Sequence, residues 1–263
     1  MKRDERRQAI MDLLVRNGAV DLDTIAERFA VSKMTVHRDL DDLESQGLLR
    51  KIRGGATIEA GTQFESDFHY RAQQGQQAKA AMAAAALALV EPGMTVMVND
   101  GSMAAVLGAG LLGCRPLTVI TNNAAIIDQH RAEQGFGLIA LGGVYSLKYH
   151  AYFGMVTEGA LSRLRADIAF ISAPAVAGLD VFHMDETVIR AKRAMMDAAQ
   201  RRCLLVNHTR FGRTALHRLA GLSEFDEIIT DQLPDAAIMT ELDRAGIAIT
   251  LAPCPAPIPE YDT

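Results

Sequence analysis

From Gln76 onward, short apolar runs alternate with stretches of helical character, and this alternation limits the possible fold more than any other feature. Seven runs rich in apolar and β-branched residues occur, at 94–98, 117–121, 137–141, 168–172, 203–206, 227–230 and 247–251. Helical patterns separate most of them, at 76–90, 103–112, 123–133, 156–165, 185–201 and 235–245. Strands that alternate with helices favour a mainly parallel sheet covered on both faces. We therefore predict an α/β domain over residues 76–252.

The first 58 residues have a different pattern, in which apolar residues recur at helical spacing. This spacing predicts three short helices, at 4–16, 22–29 and 33–46. Asp21 and Ser32 are suitable N-caps for the second and third helices, because their side-chain oxygens accept from free backbone N–H groups. Two short strands, at 48–52 and 56–58, flank Gly54-Gly55 and predict a tight hairpin. Three helices followed by a hairpin describe a winged helix-turn-helix over residues 1–58.

In a winged helix-turn-helix the third helix lies in the major groove of DNA. Val36 and Leu40 face inward, which leaves the opposite side of that helix for base edges and phosphates. We therefore predict double-stranded operator DNA as a partner. The predicted contact residues are Ser32, Lys33, Met34, Thr35, His37 and Arg38 on the helix, and Arg50, Lys51, Arg53, Gly54 and Gly55 on the hairpin. The alternative is a small helical interaction domain with a solvated charged face.

The net charge of −5 is unevenly distributed along the chain. Residues 1–60 hold 11 Lys or Arg and 11 Asp or Glu, so the remainder carries the whole net charge. Phosphate contact depends on local patches rather than on averages. Two basic clusters suit such contact, one at Lys2, Arg3, Arg6 and Arg7 and one at Arg50, Lys51 and Arg53.

The helix-turn-helix segment resembles that of the DeoR family of bacterial sugar-metabolism repressors. The resemblance is carried by the run V-S-x-x-T-x-x-R-D-L-x-x-L-x-x-x-G-L-L at residues 31–49 and by R-G-G-A at 53–56. Membership of this family implies a transcriptional repressor rather than an enzyme. Activation of transcription by the same architecture is the alternative that the sequence leaves open.

The resemblance continues to about residue 231 through short motifs at 99–102, 121–123, 141–143, 191–195 and 207–212. These segments are similar to the family's D-x-G-[ST]-T, T-N-[SN], L-G-G, V-K-R-A-M and D-x-[ST]-K-[FL]-G. The resemblance implies a sensor domain related to ribose-5-phosphate isomerase, with a small phosphorylated sugar as effector. Four departures from the family's pattern bear on the class of effector. Met103 stands in place of a Thr, Asn207 in place of an acidic residue and Arg210 in place of a Lys. Residues 172–175 stand in place of a glycine-rich turn.

Several of these motif residues directly follow the predicted strands. Open parallel sheets bind ligands at the carboxyl ends of their strands, and backbone N–H groups at a following helix attract phosphate. The predicted effector-binding residues are Asp100, Gly101, Ser102, Thr121, Asn122, Gly142, Gly143, Lys192 and Arg210. The alternative for each glycine is that it only makes a tight turn between a strand and a helix. Met103 lacks the hydroxyl of the family's Thr, so we expect the phosphate site to be drier than in other family members.

Rival functions have weaker support in the sequence. An isomerase-like enzyme would need a carboxylate base, for which Asp100 and Glu186 are the candidates. The run G-x-G-x-x-G at 108–113 comes about ten residues after its strand, so we interpret it as a helix terminus rather than a dinucleotide site. Asp185 and Glu186 fit a solvated helix start. The seven histidines show no metal-ligand spacing, so we predict neither a metal nor a cofactor.

The remaining segments complete the predicted organisation. Residues 59–75 are polar and aperiodic, which is typical of a linker, and 253–263 hold four of the eight prolines and form a tail. Cys114, Cys203 and Cys254 form no C-x-x-C pair, which fits the reducing cytoplasm. No apolar run reaches membrane-spanning length, so no membrane partner is expected. A homo-oligomer would pair two winged helices on a repeated or palindromic operator.

Overall fold

The computed structural model of the chain describes residues 3–45, 49–57 and 68–253. The chain divides into two compact units, Met1–Gln74 and Gly75–Thr263. Parts of several predicted segments lie outside the described residues. These are Gln46 at the end of the third helix, Leu48 and Ile58 in the hairpin strands, the first part of the linker and the tail after Pro253. Within the described ranges, no helix combines the length and the apolar character needed to cross a membrane.

The Met1–Gln74 unit is built from helices and a small antiparallel sheet. Its elements are α1 (Arg3–Asn17), β1 (Ala19–Asp21), α2 (Leu22–Phe29), α3 (Lys33–Ser45), β2 (Arg50–Ile52), β3 (Gly55–Thr57) and α4 (Phe68–Gln73). The strand order is β1-β3-β2, with both pairings antiparallel. The predicted three helices and hairpin are confirmed. Strand β1 and helix α4, which lies in the predicted linker and buries Phe68, were not predicted.

Local signals in the sequence place the first three helices. Gly18 follows α1 with φ of +74°, a conformation that favours glycine. The Asp21 carboxylate accepts from the Thr24 N–H at 2.8 Å and from the Thr24 hydroxyl at 2.7 Å, and these two hydrogen bonds lower the pKa of Asp21. Ser32 Oγ accepts from the Thr35 N–H at 3.2 Å at the start of α3. The caps are those the sequence predicts, and the apolar faces of the three helices meet in one core that includes Ile10, Leu14, Ile25, Val36, Leu40 and Leu43.

The Gly75–Thr263 unit is an α/β domain. Its helices are α5 (Gln76–Leu87), α6 (Ser102–Leu111), α7 (Ala124–His130), α8 (Met155–Leu161), α9 (Glu186–Asp197) and α10 (Ala236–Arg244). Its strands are β4 (Thr95–Val98), β5 (Leu117–Thr121), β6 (Phe136–Ala140), β7 (Val144–Ser146), β8 (Ala151–Phe153), β9 (Ala166–Ser172), β10 (Ala175–Ala177), β11 (Asp180–His183), β12 (Ala199–Leu205), β13 (His217–Gly221), β14 (Glu227–Thr230) and β15 (Thr250–Leu251). One-turn helices follow α6, β12 and β13.

Seven strands form one sheet in the order β15-β14-β12-β9-β4-β5-β6, and every pairing in it is parallel. Both faces are covered: Ile168 and Phe170 of β9 belong to one hydrophobic cluster, and Ala169 and Ile171 belong to the other. The predicted mainly parallel α/β fold is therefore confirmed. Parallel order brings all seven carboxyl ends to one edge of the sheet, which is called the carboxyl edge below.

Two small antiparallel sheets add to this fold, and neither was predicted. One has the order β10-β11-β13, and the other is the hairpin β7–β8. Several predicted boundaries were also wrong: for example, the helices predicted at 123–133 and 156–165 end at His130 and Leu161. The helix predicted to reach residue 201 ends at Asp197, because the chain pairs with β9 from Ala199 onward. The strand predicted at 247–251 is reduced to Thr250 and Leu251.

Candidate functional site

The third helix of the small unit exposes one face. Val36, Leu40 and Leu43 are buried, whereas Met34 is 64% exposed and Arg38 is also exposed. The other predicted residues at this helix start, Ser32 and Lys33, are exposed, and Thr35 and His37 are half-buried. Apolar packing on one side therefore leaves the polar side of the first two turns of α3 open to a partner.

Two of the predicted contact residues on α3 already have partners within the unit. Lys33 Nζ lies 2.5 Å from Asp23 Oδ1, and this hydrogen bond raises the pKa of Lys33. The Ser32 and Thr35 hydroxyls lie 3.0 Å apart. Arg38 makes no ion pair with any residue in the described part of the chain. It is therefore the cation on α3 that a DNA phosphate or base would meet without displacing an internal partner.

The arginines at the start of the chain have acidic partners on α3, and Lys2 of the predicted cluster lies outside the described residues. Arg6 Nε lies 2.6 Å from Asp39 Oδ2, and Arg7 pairs with both Asp39 and Asp42. Arg3 also pairs with Asp42, and Asp39 is buried. These ion pairs tie α1 to α3. Phosphate contact by Arg3, Arg6 and Arg7 stays a prediction, and it would require these arginines to share or exchange their acidic partners on α3.

The hairpin β2–β3 separates its predicted residues into exposed and internal ones. Arg50, Arg53 and Gly54 are exposed, and Gly54 makes the turn with φ of +85°. Lys51 pairs through Nζ with Asp41, and its N–H donates to Glu44 Oε1 at 2.7 Å. Lys51 thus holds the hairpin to α3, which the prediction of a phosphate contact did not foresee.

Gly55 packs against β1 and does not face a DNA partner. It is buried, and a Cβ added to it would lie 2.3 Å from the Val20 carbonyl oxygen. The close approach that its glycine allows is therefore between β3 and β1, within the small unit, and not between the hairpin and DNA.

The predicted effector residues lie along the carboxyl edge, but they do not all meet. Gly142 follows β6 and Arg210 follows β12, four strands away in the sheet. At about 4.8 Å per strand, that separation is about 19 Å. The residues after β4 and β5 are neighbours, and Lys192 of α9 contacts Asp100, which follows β4. Arg210 belongs to a separate group at the far side of β9.

Lys192 and Asp100 form a buried ion pair at this edge. Lys192 Nζ lies 3.5 Å from Asp100 Oδ1 and donates to the Ser172 carbonyl oxygen at 2.8 Å. Both side chains are about 97–98% buried. Ser172 ends β9, and Asp100 follows β4, so the pair joins the ends of two neighbouring strands to α9. Within a low-dielectric interior, each charge stabilises the other.

The loop after Asp100 presents a helix N-terminus. Gly101 has φ of +101° and is the N-cap of α6, with no side-chain hydrogen bond at the cap. The first backbone N–H groups of a helix have no partner within the helix. Ser102 is buried beside them. This arrangement suits an anion.

The Thr121–Asn123 segment braces that loop. Thr121 Oγ1 donates to the Val98 carbonyl oxygen at 2.7 Å and accepts from the Asn123 N–H at 3.0 Å. Asn123 Nδ2 donates to the Gly101 carbonyl oxygen at 3.1 Å. Thr121 is therefore engaged within the loop. Asn122 Oδ1 differs: it is buried and has no hydrogen-bond partner among the described residues, so it remains free to accept from a ligand.

Gly142 and Gly143 lie at the turn into β7. The Gly142 carbonyl oxygen accepts from Thr157 Oγ1 at 2.7 Å. Gly143 has φ of +144°, and a Cβ added to it would lie 2.4 Å from the Phe153 carbonyl oxygen. The close packing of the hairpin therefore accounts for Gly143, which favours the tight-turn alternative for this glycine.

The group around Arg210 is a network of polar side chains. Asn207 Nδ2 donates to Asp231 Oδ2 at 2.8 Å, and His208 Nδ1 lies 2.9 Å from the same oxygen. Asn207 Oδ1 accepts from the Thr209 N–H at 3.0 Å and caps a one-turn helix. Arg210 ends that helix and is half-buried. The Asn207 amide thus bridges Thr209 and Asp231, which a carboxylate at this position would not do because it has no N–H to donate.

Met103 does not border the phosphate site as expected. Its side chain is buried in the hydrophobic cluster that also contains Val98, Leu107 and Val119. The expectation of a drier phosphate site was based on a residue whose side chain lies in the core. A threonine at this position would place a hydroxyl among apolar side chains.

A cavity of about 280 Å³ lies between the hairpin β7–β8 and the start of α9, and none of the nine predicted effector residues lines it. Its lining residues are Val144, Ser146, Tyr149, Phe153, Gly154, Asp185, Thr187 and Val188. Asp185 caps α9, as the predicted helix start requires, and it also faces this cavity. The sequence signal for the cap is local, whereas the cavity forms only when the hairpin β7–β8 packs against α9.

The candidates for enzymatic bases are poorly arranged for catalysis. Asp100 is buried and paired with Lys192, whereas Glu186 is exposed and lies 3.5 Å from Arg190. In the described ranges, no group of three or more His, Cys, Asp or Glu side chains is placed to hold a metal ion.

Comparison with known proteins identifies both units. Residues 6–61 match the DeoR-like helix-turn-helix domain, and residues 74–232 match the DeoR C-terminal sensor domain. Among solved structures, ribose 5-phosphate isomerase A from Neisseria gonorrhoeae covers 54% of this chain and 55% of its own, with 10% identity and a TM-score of 0.38.

Three curated relatives are similar over nearly their whole length. The uncharacterized HTH-type transcriptional regulator YgbI of Escherichia coli K12 is 31% identical, over 89% of this chain and 92% of its own. The glycerol-3-phosphate regulon repressor of Escherichia coli K12 is 26% identical, over 95% and 100%. The transcriptional repressor GlcR of Bacillus subtilis 168 is 29% identical, over 95% and 96%. This chain therefore belongs to the DeoR family of helix-turn-helix transcriptional regulators.

Proposed function

We propose that the protein is a cytoplasmic repressor of a sugar or polyol catabolic operon, and that a small phosphorylated sugar-type effector releases it from double-stranded operator DNA. The observation that carries the DNA half of the proposal is the open polar face of α3, where Arg38 has no ion-pair partner in the described ranges. Arg53 and Gly54 of the hairpin are exposed as well. Two copies of the chain would present two such surfaces to a two-fold symmetric operator.

The effector half of the proposal is supported by the carboxyl edge of the parallel sheet. The N-terminus of α6 offers backbone N–H groups, the buried Asn122 Oδ1 lacks a partner among the described residues, and Lys192 supplies a cation. The glycerol-3-phosphate regulon repressor, a relative over 95% of this chain, is named for a phosphorylated polyol. We propose that the effector phosphate binds at Gly101 and Ser102, on the side of β4 that Lys192 reaches.

Activation of transcription is the second candidate. The L-fucose operon activator of Haemophilus influenzae is 31% identical, over 88% of this chain and 93% of its own. An activator would use the same DNA-binding surface. A transcription assay separates the two on a template that carries the bound site upstream of a promoter. An activator raises transcript yield from the upstream site, whereas a repressor does not.

Replacing Arg38 with alanine should weaken binding to a specific site by about 1–3 kcal/mol, the range for one good base contact. Arg38 is exposed, so its loss should leave the unfolding midpoint unchanged. The measurement is a gel-shift titration at fixed salt, on a site selected from a random-sequence pool. Arg131→Ala, an exposed arginine of the large unit, is the control. Equal affinity of wild type and Arg38→Ala would exclude a base or phosphate contact by this side chain.

Arg53→Ala and Lys51→Ala should differ in their effect on the salt dependence of DNA binding. Each lost phosphate contact lowers the slope of log K against log salt by about 0.9. We expect this drop for the exposed Arg53 and a smaller one for Lys51, because Lys51 is paired with Asp41. Binding constants measured across a salt series give both slopes. A larger change for Lys51 than for Arg53 would contradict this assignment of the hairpin.

A further inference from the structure

The cavity beside the hairpin β7–β8, lined by the eight residues given above, is here called the hairpin cavity. Its apolar wall is fixed by packing: Tyr149, Phe153 and Val188 belong to a hydrophobic cluster completed by Ala151 and Ala191. This cluster holds the hairpin against α9. The cavity therefore has a preformed wall of aromatic and aliphatic carbon, of the kind against which the C–H face of a sugar or polyol packs.

The polar side chains of the cavity are Ser146, Tyr149, Asp185 and Thr187. Asp185 Oδ1 accepts from the N–H groups of Thr187 at 2.9 Å and Val188 at 3.4 Å, which fixes the carboxylate. Asp185 Oδ2 has no hydrogen bond to any residue in the described ranges. A fixed carboxylate with one available oxygen is a strong acceptor for hydroxyl groups.

The charge of the cavity excludes an anionic occupant. No lysine or arginine lines it, and Asp185 contributes a negative charge. Lys148 lies next to one lining residue, with its Nζ 5.2 Å from the centroid of the Tyr149 ring. An uncharged group with several hydroxyls can form hydrogen bonds with the four polar side chains, whereas a phosphate would meet the Asp185 carboxylate at close range.

The hairpin cavity and the proposed phosphate site both border α9. Val188 lines the cavity, and Lys192 lies one helical turn further on the same face, about 6 Å along the axis. Lys192 Nζ then contacts Asp100, which directly precedes Gly101. A ligand with an anion at one end and several hydroxylated carbons at the other matches this order of groups.

We propose that the hairpin cavity binds the uncharged, hydroxylated end of the effector, with Asp185 as the acceptor that selects it. This proposal rests on the proposed effector function and narrows it to phosphate monoesters of multi-carbon polyols or sugars. Inorganic phosphate and one-carbon esters fill the phosphate site but leave the cavity vacant. Effector specificity then resides in the hairpin β7–β8 and the start of α9.

The test compares Asp185→Asn with wild type by calorimetry, using inorganic phosphate, glycerol 3-phosphate and sorbitol 6-phosphate. Asparagine retains the Oδ1 acceptor that caps α9, so the fold is preserved. For wild type we expect sorbitol 6-phosphate to bind at least tenfold more tightly than inorganic phosphate. Asp185→Asn should lose about tenfold or more for sorbitol 6-phosphate, the loss of a charge-assisted hydrogen bond, and less than twofold for inorganic phosphate.

Two further variants keep the result interpretable. Glu186→Gln removes an exposed neighbouring charge and should match wild type with all three probes. Thr187→Val keeps the N–H that Asp185 accepts and removes one hydroxyl from the cavity, so it should also weaken sorbitol 6-phosphate alone. Equal affinity of wild type, Asp185→Asn and Thr187→Val for sorbitol 6-phosphate would overturn the proposal.

Unphosphorylated sorbitol distinguishes failure of the cavity from failure of the phosphate site. If no phosphorylated probe binds wild type, the proposed phosphorylated effector is wrong. Binding of free sorbitol that Asp185→Asn abolishes would still support the cavity. Absence of binding by both sorbitol and its phosphate, in a protein that melts cooperatively, overturns both proposals.

Discussion

Lys192→Met is expected to destabilise the large unit by about 3–5 kcal/mol, the cost of leaving a buried charge without its partner. Asp100 and Lys192 are both almost fully buried, with Lys192 Nζ 3.5 Å from Asp100 Oδ1. The lysine also donates to the Ser172 carbonyl oxygen at 2.8 Å, so the substitution removes a second buried interaction. Urea unfolding, followed by circular dichroism, measures the loss.

A double variant separates the fold from the ligand site. Asp100→Asn combined with Lys192→Met removes both charges and should recover most of the lost stability. It should not recover binding of inorganic phosphate, because the cation near the N-terminus of α6 is gone. Arg190→Met, on the exposed face of the same helix, is the control and should be within about 0.5 kcal/mol of wild type. Wild-type stability of the single Lys192→Met variant would show that the ion pair does not support the fold.

Gly55→Ala is expected to destabilise the small unit by about 3 kcal/mol or more, which is severe for a unit of this size. The added Cβ would lie 2.3 Å from the Val20 carbonyl oxygen and 2.9 Å from the Asp21 Cα, both of which are backbone atoms. Backbone in a paired strand has no rotamer to escape into, so β1 and β3 must separate. Because β2 pairs only with β3 among the described strands, Arg53 would lose its position and DNA affinity would fall.

The adjacent glycine provides a matched control. Gly54 has φ of +85° and no atom within 4 Å of an added Cβ. Asparagine tolerates a left-handed conformation better than most residues, so Gly54→Asn should cost less than about 1 kcal/mol. Unfolding midpoints and DNA titrations of both variants check the pair. If Gly55→Ala is as stable and as active as wild type, β1 does not pack on β3 as described.

The strands of the parallel sheet were predictable because each is an apolar run separated from the next by a helical pattern. The two small sheets were not predictable, because they lack this pattern. β7 and β10 are three residues long, which is too short for an alternating pattern to be recognised in the sequence. Residues 247–251 look like a full strand in sequence, yet only Thr250 and Leu251 find partners on β14.

The candidate sites show the same division between local and long-range information. The caps at Asp21, Ser32 and Asp185 depend on residues two or three positions away, and the sequence predicts each helix start. The ion pairs of Arg6 and Arg7 with Asp39 join residues more than 30 positions apart. Nothing in the local sequence distinguishes such arginines from ones that bind phosphate.

Side-chain direction was the other quantity that the sequence did not provide. Met103 occupies a motif position that suggests a ligand contact, yet its side chain enters the core between β4 and α6. The hairpin cavity depends on packing between β8 and α9, which are separated by about 30 residues. Its polar residue Asp185 was interpreted as a helix cap, which is correct but describes only one of the two carboxylate oxygens.

The central claim is that effector binding and operator binding are coupled, and fluorescence anisotropy of a labelled operator tests it most directly. The operator is selected from a random-sequence pool, and titrations are made with and without saturating sorbitol 6-phosphate, glycerol 3-phosphate or other sugar phosphates that raise the melting temperature. We predict that at least one of them weakens operator affinity by about 5- to 150-fold, a coupling of about 1–3 kcal/mol. Operator affinity that is unchanged or tighter with every ligand that stabilises the protein would contradict release by a phosphorylated effector.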